Sequence, residues 1–380
     1  MNQSDTTPVI WLYAPAQLRQ AAGELKARLA QRATVLILGS GGQPPPDLEL
    51  GPHPDLARAL EACPEDLRPH VLVRFDGQGA AAPPAEGLPC PCVEPGPGGP
   101  AETAGRALAA AAAGQEFAWL PAVQVNLPLA DLLGKYRHLL DLPFNPEVGL
   151  PADSLERLGP GDLDRAREML AGRRLTSHLP FLDLAPGSCD RLVAEAAVRR
   201  LEQAADWAIA LGAGQAVIHL GFEPHLHRDR EAFARRLADN LGPLAGRLQA
   251  AGIALVLENV FEPDPRPLLL ARRALARAGC ATVGFCLDIG HALAFSRTSL
   301  DAWWEALAPH LRELHLHDND RSDDQHLPPG RGAADWAMLG RRLAAMPRWP
   351  VITLEPHRES HLWESLRALE RLWGAPAEMK

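Results

Sequence analysis

Nine side chains able to bind a metal stand at or just past the ends of successive apolar runs between positions 178 and 355. They are His178 in TSHLPF, His219 in VIHLG, Glu258 in LVLEN, Asp288 and His291 in CLDIGH, His315 in LHLHD, Asp324 and His326 in DDQHLPPG, and Glu355 in ITLEP. An apolar run that ends in a bare imidazole or carboxylate aims that group at whatever lies beyond the strand. Five imidazoles with four carboxylates suit zinc, manganese or iron, whereas Mg²⁺ and Ca²⁺ prefer more oxygen and less nitrogen. One catalytic zinc takes about three protein ligands. The set exceeds that, which points to two or three ions sharing carboxylates, with Glu258 and Glu355 as natural bridges.

Local spacing sharpens two of these groups. In Asp288-Ile-Gly-His291 the aspartate ends the strand and the glycine is expected to make a tight turn that returns the histidine over the same mouth. In Asp324-Gln-His326 the following PPGRG stiffens a loop carrying two ligands. Four further histidines are set aside. His317 and His357 follow strand residues already used, while His225 and His227 lie in a polar loop. Partners that orient ligand imidazoles are the role expected for some of them.

The elements that must position these groups alternate regularly. Strands are expected at Ala122–Leu127, Glu147–Leu150, Leu175–Leu179, Ala216–Leu220, Ala254–Glu258, Val283–Asp288, Glu313–His317 and Val351–Glu355. Between them run helical patterns such as DRLVAEAAVRRLEQAADWAIALGA and REAFARRLADNLGPLAGRLQAAG, with apolar residues three and four apart and glycine near the end. Eight strand–helix units over roughly 250 residues match a closed (β/α)₈ TIM barrel, whose C-terminal strand ends converge on one mouth. An open doubly wound sheet is the alternative, but it would gather ligands at one crevice rather than on nearly every strand.

The domains expected are a small α/β unit over 1–79, a Pro/Gly-rich linker over 80–100, a connecting helix over 101–119 and the barrel over 120–375. In the N-terminal unit strands are expected at Val9–Tyr13, Thr34–Leu38 and His70–Phe75, with helices around Gln17–Gln31 and Asp55–Cys63; an Ala-rich helix follows at Ala101–Gly114. LGSGG at 38–42 follows a strand, yet Pro44-Pro45-Pro46 denies it the helix N-terminus that a phosphate would need.

Net charge is −9 over 380 residues and no basic stripe is visible, which favours a small-molecule substrate over long nucleic acid. The six cysteines fit neither paired zinc knuckles nor a disulfide framework, and Cys90-Pro-Cys92 lies in the Pro/Gly tract. No run of about 18 apolar residues offers a membrane span, and residues 1–8 lack a signal pattern. A cytoplasmic location is expected.

On HLPF (178–181), IHLG (218–221), LEN (257–259), CLDIGHALA (286–294), HLHDND (315–320), DQHLPPGRG (324–332) and TLEP (353–356), residues 120–375 resemble the xylose isomerase-like barrel superfamily, which includes endonuclease IV and the sugar phosphate isomerases and epimerases. In the endonuclease IV branch, the resemblance implies a three-zinc cluster held by residues matching His178, His219, Glu258, Asp288, His291, His315, Asp324, His326 and Glu355. In the epimerase branch it implies one Mn²⁺-type ion held by residues matching Glu258, Asp288, His315 and Glu355, with the two glutamates shuttling a proton. Arg321, six residues after His315, stands where epimerases place an arginine that contacts substrate oxygens.

Two reactions fit this set. Clustered ions can clamp a phosphate ester and generate hydroxide from water. Alternatively, Glu258 and Glu355 can exchange a proton at a sugar carbon beside a carbonyl. The extra ligands His178, His219, Asp324 and His326 favour the first, so the expected activity is metal-dependent hydrolysis of a small phosphate ester, with sugar isomerisation or epimerisation as the alternative.

Overall fold

The computed structural model describes residues 117–376 and, ahead of them, four short strands. The chain divides into two compact units, Met1–Phe117 with Lys135–Leu142, and Ala118–Gly134 with Pro143–Lys380. In the first unit β1 (Val9–Tyr13), β2 (Thr34–Leu38), β3 (Val71–Arg74) and β4 (Cys92–Val93) pair in parallel in the order β2-β1-β3-β4. The segment expected to be pure linker thus contributes a strand at Cys92–Val93, paired to Leu72 and Val73. A two-residue strand in a stretch that carries Pro91 and Pro95 suits a sheet edge, where a missing N–H costs no ladder bond. The helices expected at 17–31, 55–63 and 101–114 lie outside the described residues.

The second unit is a closed parallel barrel of eight strands: β5 (Gln124–Pro128), β6 (Asn145–Gly149), β7 (Thr176–His178), β8 (Gln215–His219), β9 (Ala254–Glu258), β10 (Gly284–Asp288), β11 (Leu311–Leu316) and β12 (Val351–Leu354). Pairing of Thr353 with Gln124 and of Leu354 with Val125 closes the cylinder and excludes the open sheet. All eight expected strands are present, and Ala254–Glu258 agrees end for end.

The crossover helices follow from their patterns. In α1 (Arg191–Leu211) the Asp190 side chain accepts from the Leu192 N–H, and Gly212 takes the left-handed conformation that ends the helix. Its buried stripe is mostly alanine (Ala194, Ala197, Ala204, Ala208), so it lies close to its neighbours. In α2 (Arg230–Ala250) Phe233, Leu237, Leu241, Leu244 and Leu248 form a bulkier stripe spaced three and four apart. Among the described residues no helix is long and apolar enough to cross a membrane.

The barrel interior differs from one side to the other. Val217, Val256 and Cys286 make a buried apolar cluster. Facing it, Gln124, Glu147, Thr176, Glu313 and Thr353 of the other strands, with Gln215 from β8, are all buried and bonded to one another. Gln215 Nε2 and Thr353 Oγ1 both donate to Glu313, at 2.8 and 2.6 Å. Burial and the Glu147 carboxylate push the Glu313 carboxyl well above the usual carboxylate range.

Candidate metal centre

Strand register puts the first ligands side by side: His219 ends β8 opposite Glu258, which ends β9, and Asp288 on β10 lies opposite His315 on β11. Glu258 is the hub. Its Oε2 lies 3.0 Å from His178 Nε2 and 3.2 Å from His219 Nε2, and its Oε1 lies 3.2 Å from His291 Nδ1 and 3.5 Å from His315 Nδ1. Asp288 caps α3 (Ile289–Ala294), accepting from the His291 N–H at 2.6 Å. Glu355 Oε1 stands 3.2 Å from His315 Nδ1. All nine expected residues therefore meet in one cluster at the C-terminal mouth.

Asp324 and His326 arrive on a loop built around Asp318. The fully buried Asp318 carboxylate accepts from the N–H groups of Asn319 (2.9 Å), Gly330 (2.9 Å) and Ala334 (3.1 Å) and from Trp336 Nε1 (2.8 Å). It pins both ends of the loop between β11 and α4 (Trp336–Ala344). Within it His326 is held at φ 47°, a left-handed conformation that costs a non-glycine residue on the order of 1 kcal/mol. That conformation lets Nδ1 bond the Glu355 carbonyl at 2.9 Å while Nε2 faces Asp324 Oδ2 at 3.1 Å.

Two expectations are corrected. Gly290 does not make a turn; it lies inside α3, and a Cβ there would stand 2.0 Å from the His317 imidazole. The glycine is there to admit that ring. His317, set aside in the sequence, belongs to the cluster, with Nε2 3.0 Å from Asp288 Oδ2 and Nδ1 3.5 Å from Asp324 Oδ1. The signal for it was HLH: residues two apart at a strand end face the same side. Glu147 and Asn126 were also missed and touch His315 and Glu355 from below. His357 stacks on His326 at 3.7 Å, while His227 Nδ1 accepts from the Glu223 N–H at 2.8 Å, away from the cluster. Arg321 is exposed at φ 74°, and its guanidinium forms no hydrogen bond or ion pair with a described residue. The structure does not bring it into the cluster.

The donor set fits metal ions on three grounds. His178, His291 and His326 each turn Nδ1 to a backbone carbonyl, of Leu179, Asn259 and Glu355, at 2.9 Å. A carbonyl only accepts, so Nδ1 carries the proton and Nε2 is the nitrogen left for an ion. Next, His219 Nε2, His315 Nδ1 and Nε2, His317 Nδ1 and Asp324 Oδ1 are buried without an aligned hydrogen bond, although carboxylates or imidazoles stand within 4 Å. Such atoms are costly unless something else satisfies them. Finally, ligand-capable atoms fall within 4.8 Å of one another in His178–Glu258–His315, in Asp288–His315–Glu355, in Asp288–His291–His317 and in His317–Asp324–His326.

Charge is tightly coupled here. Burial alone would lower His178, but the Glu258 carboxylate against it prevails and raises the imidazole to about 9. Burial likewise opposes, and Asp324 and Glu355 override it, for His326, raised to about 9. Although burial works against it, the imidazoles of His291 and His326 hold the Asp324 carboxyl well below its usual range. Glu262, just beyond β9, accepts from the Val260 N–H at 2.6 Å, yet burial prevails and pushes its carboxyl up to about 7.

Comparison with known proteins agrees with the fold. MJ1311 from Methanocaldococcus jannaschii is 26% identical over 189 residues, 47% of this chain, and the match spans 62% of MJ1311. The solved structure of TTHB071 from Thermus thermophilus, from a crystal soaked with ZnCl₂, is 32% identical, with a TM-score of 0.57 over 67% of this chain and 99% of that one. A D-tagatose 3-epimerase-like protein, 21% identical, shares the fold with a TM-score of 0.56 over 66% of this chain and 96% of that one. Residues 146–375 match the family model described as a xylose isomerase-like TIM barrel, and the chain belongs to that family.

Proposed function

We propose that the protein is a divalent-metal enzyme that moves a proton at a carbon beside the carbonyl of a small sugar or sugar phosphate, an isomerase or epimerase. The observation that carries this is the surroundings of His315 Nδ1. That buried nitrogen makes no aligned hydrogen bond yet has Glu355 Oε1 at 3.2 Å, Glu258 Oε1 at 3.5 Å and Asp288 Oδ2 at 3.8 Å. Three carboxylates and one imidazole of different strands converge there, enough to hold one ion of Mn²⁺ or Zn²⁺ type. The ion, when bound, supplies polarisation of the substrate carbonyl and hydroxyl. The chain's own part is to hold two glutamates where one can take the proton and the other return it. Glu258 side-chain exposure is 1% and that of Glu355 is 11%, so Glu355 is the more open to substrate. The D-tagatose 3-epimerase-like protein, which shares this barrel, supports the sugar reading. It also reverses the order expected from sequence, where ester hydrolysis came first.

Hydrolysis of a small phosphate ester is the second reading, favoured by the continuation of the ligand set through His317, Asp324 and His326. The test is incubation of Mn²⁺-loaded protein with ketoses and ketose phosphates in D₂O. Deuterium entering the carbon beside the carbonyl, and lost in Glu258→Gln and Glu355→Gln, supports the first reading. Phosphate release without exchange supports the second, and neither event with any substrate sinks both.

A further inference from the structure

Three ligand imidazoles have their orientation fixed by a backbone carbonyl, but His315 does not. Its Nδ1 faces the three carboxylates of the cluster, and its Nε2 points down into the barrel, 3.3 Å from Glu147 Oε1. Both nitrogens are fully buried and neither makes an aligned hydrogen bond. A metal takes a nitrogen lone pair, so an ion on Nδ1 leaves the ring proton on Nε2, beside Glu147. Glu147 is itself held: Asn126 Nδ2 donates to Glu147 Oε1 at 2.7 Å and to Glu355 Oε1 at 3.1 Å. Four residues thus close a ring, with Glu355 and Glu147 on the two nitrogens of His315 and the Asn126 amide joining the two carboxylates. β5 and β6, which supply none of the nine ligands, supply both supports.

We propose that Asn126 and Glu147 are positioning residues of the metal centre, Glu147 setting the tautomer and plane of His315 and Asn126 fixing the Glu355 oxygen that faces the ion. Among the described residues no other imidazole pairs with Glu147, whose second oxygen accepts from Thr176 Oγ1 at 3.3 Å. A carboxylate behind a ligand histidine makes the ring a stronger donor, and loss of such a support costs about 10–100-fold in metal affinity. The inference rests on the cluster being a metal centre and not on which reaction it performs.

The experiment is calorimetric titration of metal-free protein with Mn²⁺ for wild type, Glu147→Gln and Asn126→Ala, beside the melting temperature of each metal-free protein. Both variants are expected to bind the tightest ion about 10–100-fold more weakly. A purely structural role would instead lower the metal-free melting temperature and leave the affinity unchanged. Wild-type affinity in both variants, within about twofold, overturns the proposal. Should Glu147→Gln fail to fold, Asn126→Ala, on a half-buried residue near the mouth, decides alone. Failure of the wild type itself to bind Mn²⁺ or Zn²⁺ overturns the metal centre together with this inference, a result distinct from variants that bind normally.

Discussion

The imidazoles of His317 and His326 stack with centroids 3.8 Å apart and planes 4° from parallel. One comes from the end of β11, the other from the loop pinned by Asp318, and Asp324 lies between them and His291. His317→Ala should therefore weaken binding at the Asp324 side by at least about tenfold while sparing the ion beside Glu258. Metal content and titration of the variant check this; unchanged affinity at every site contradicts it.

Asp318→Ala removes the acceptor of four N–H donors that hold the ends of one loop. Buried donors left unpaired should cost on the order of 3 kcal/mol, seen in denaturant unfolding. Because that loop carries Asp324 and His326, the same variant should lose metal on that side. Wild-type stability with wild-type metal content would refute the hub role.

Metal binding should release protons. His178 and His326 are raised to about 9, so both are protonated at pH 7 in the metal-free protein, and coordination through Nε2 must remove that proton. Titration heats measured at pH 7 in buffers of different ionisation enthalpy should differ, and the difference should fade as pH rises past about 9. Heats independent of buffer at pH 7 would contradict this.

Glu262, which is not one of the nine expected ligands, gives a stability signature of its own. Its folded value of about 7 lies above the ordinary 4.5. The protonated carboxyl therefore adds stability in full below pH 4.5, and that contribution is lost as pH rises through about 7. Glu262→Gln mimics the protonated form, so metal-free variant and wild type should be alike at low pH. Above pH 7 the variant should be more stable, by on the order of 3 kcal/mol. A stability difference that does not change with pH would count against burial as the cause of the raised carboxyl.

His326→Ala separates the two reactions. Proton transfer by Glu258 and Glu355 around His315 should survive to within about tenfold, since His326 is not among the groups facing His315. Ester hydrolysis by a multi-ion cluster should be abolished, and Glu258→Gln should abolish either.

The barrel was legible because each strand announces itself as an apolar run, and most of the ligands because they end such a run. Glycine at Gly212 likewise marked the end of α1. What was not legible depends on closure. Asn126 reads as an ordinary strand residue until β12 pairs with β5 and brings Glu355, 229 residues away, within 3.1 Å. Glu147 is one carboxylate in an unremarkable strand until the barrel turns it toward His315. Gly290 was seen and given the wrong reason, since its missing side chain makes room for a ring from the neighbouring strand.

The central claim is that groups spread over separate strand ends and loops together bind divalent ions. Elemental analysis of untagged protein, with thermal melting before and after added Mn²⁺ or Zn²⁺, tests it most directly. At least one tightly held ion per chain is predicted, with a higher melting temperature on loading and loss of both in Glu258→Gln. Protein that carries no metal and melts at the same temperature with either ion present would contradict it.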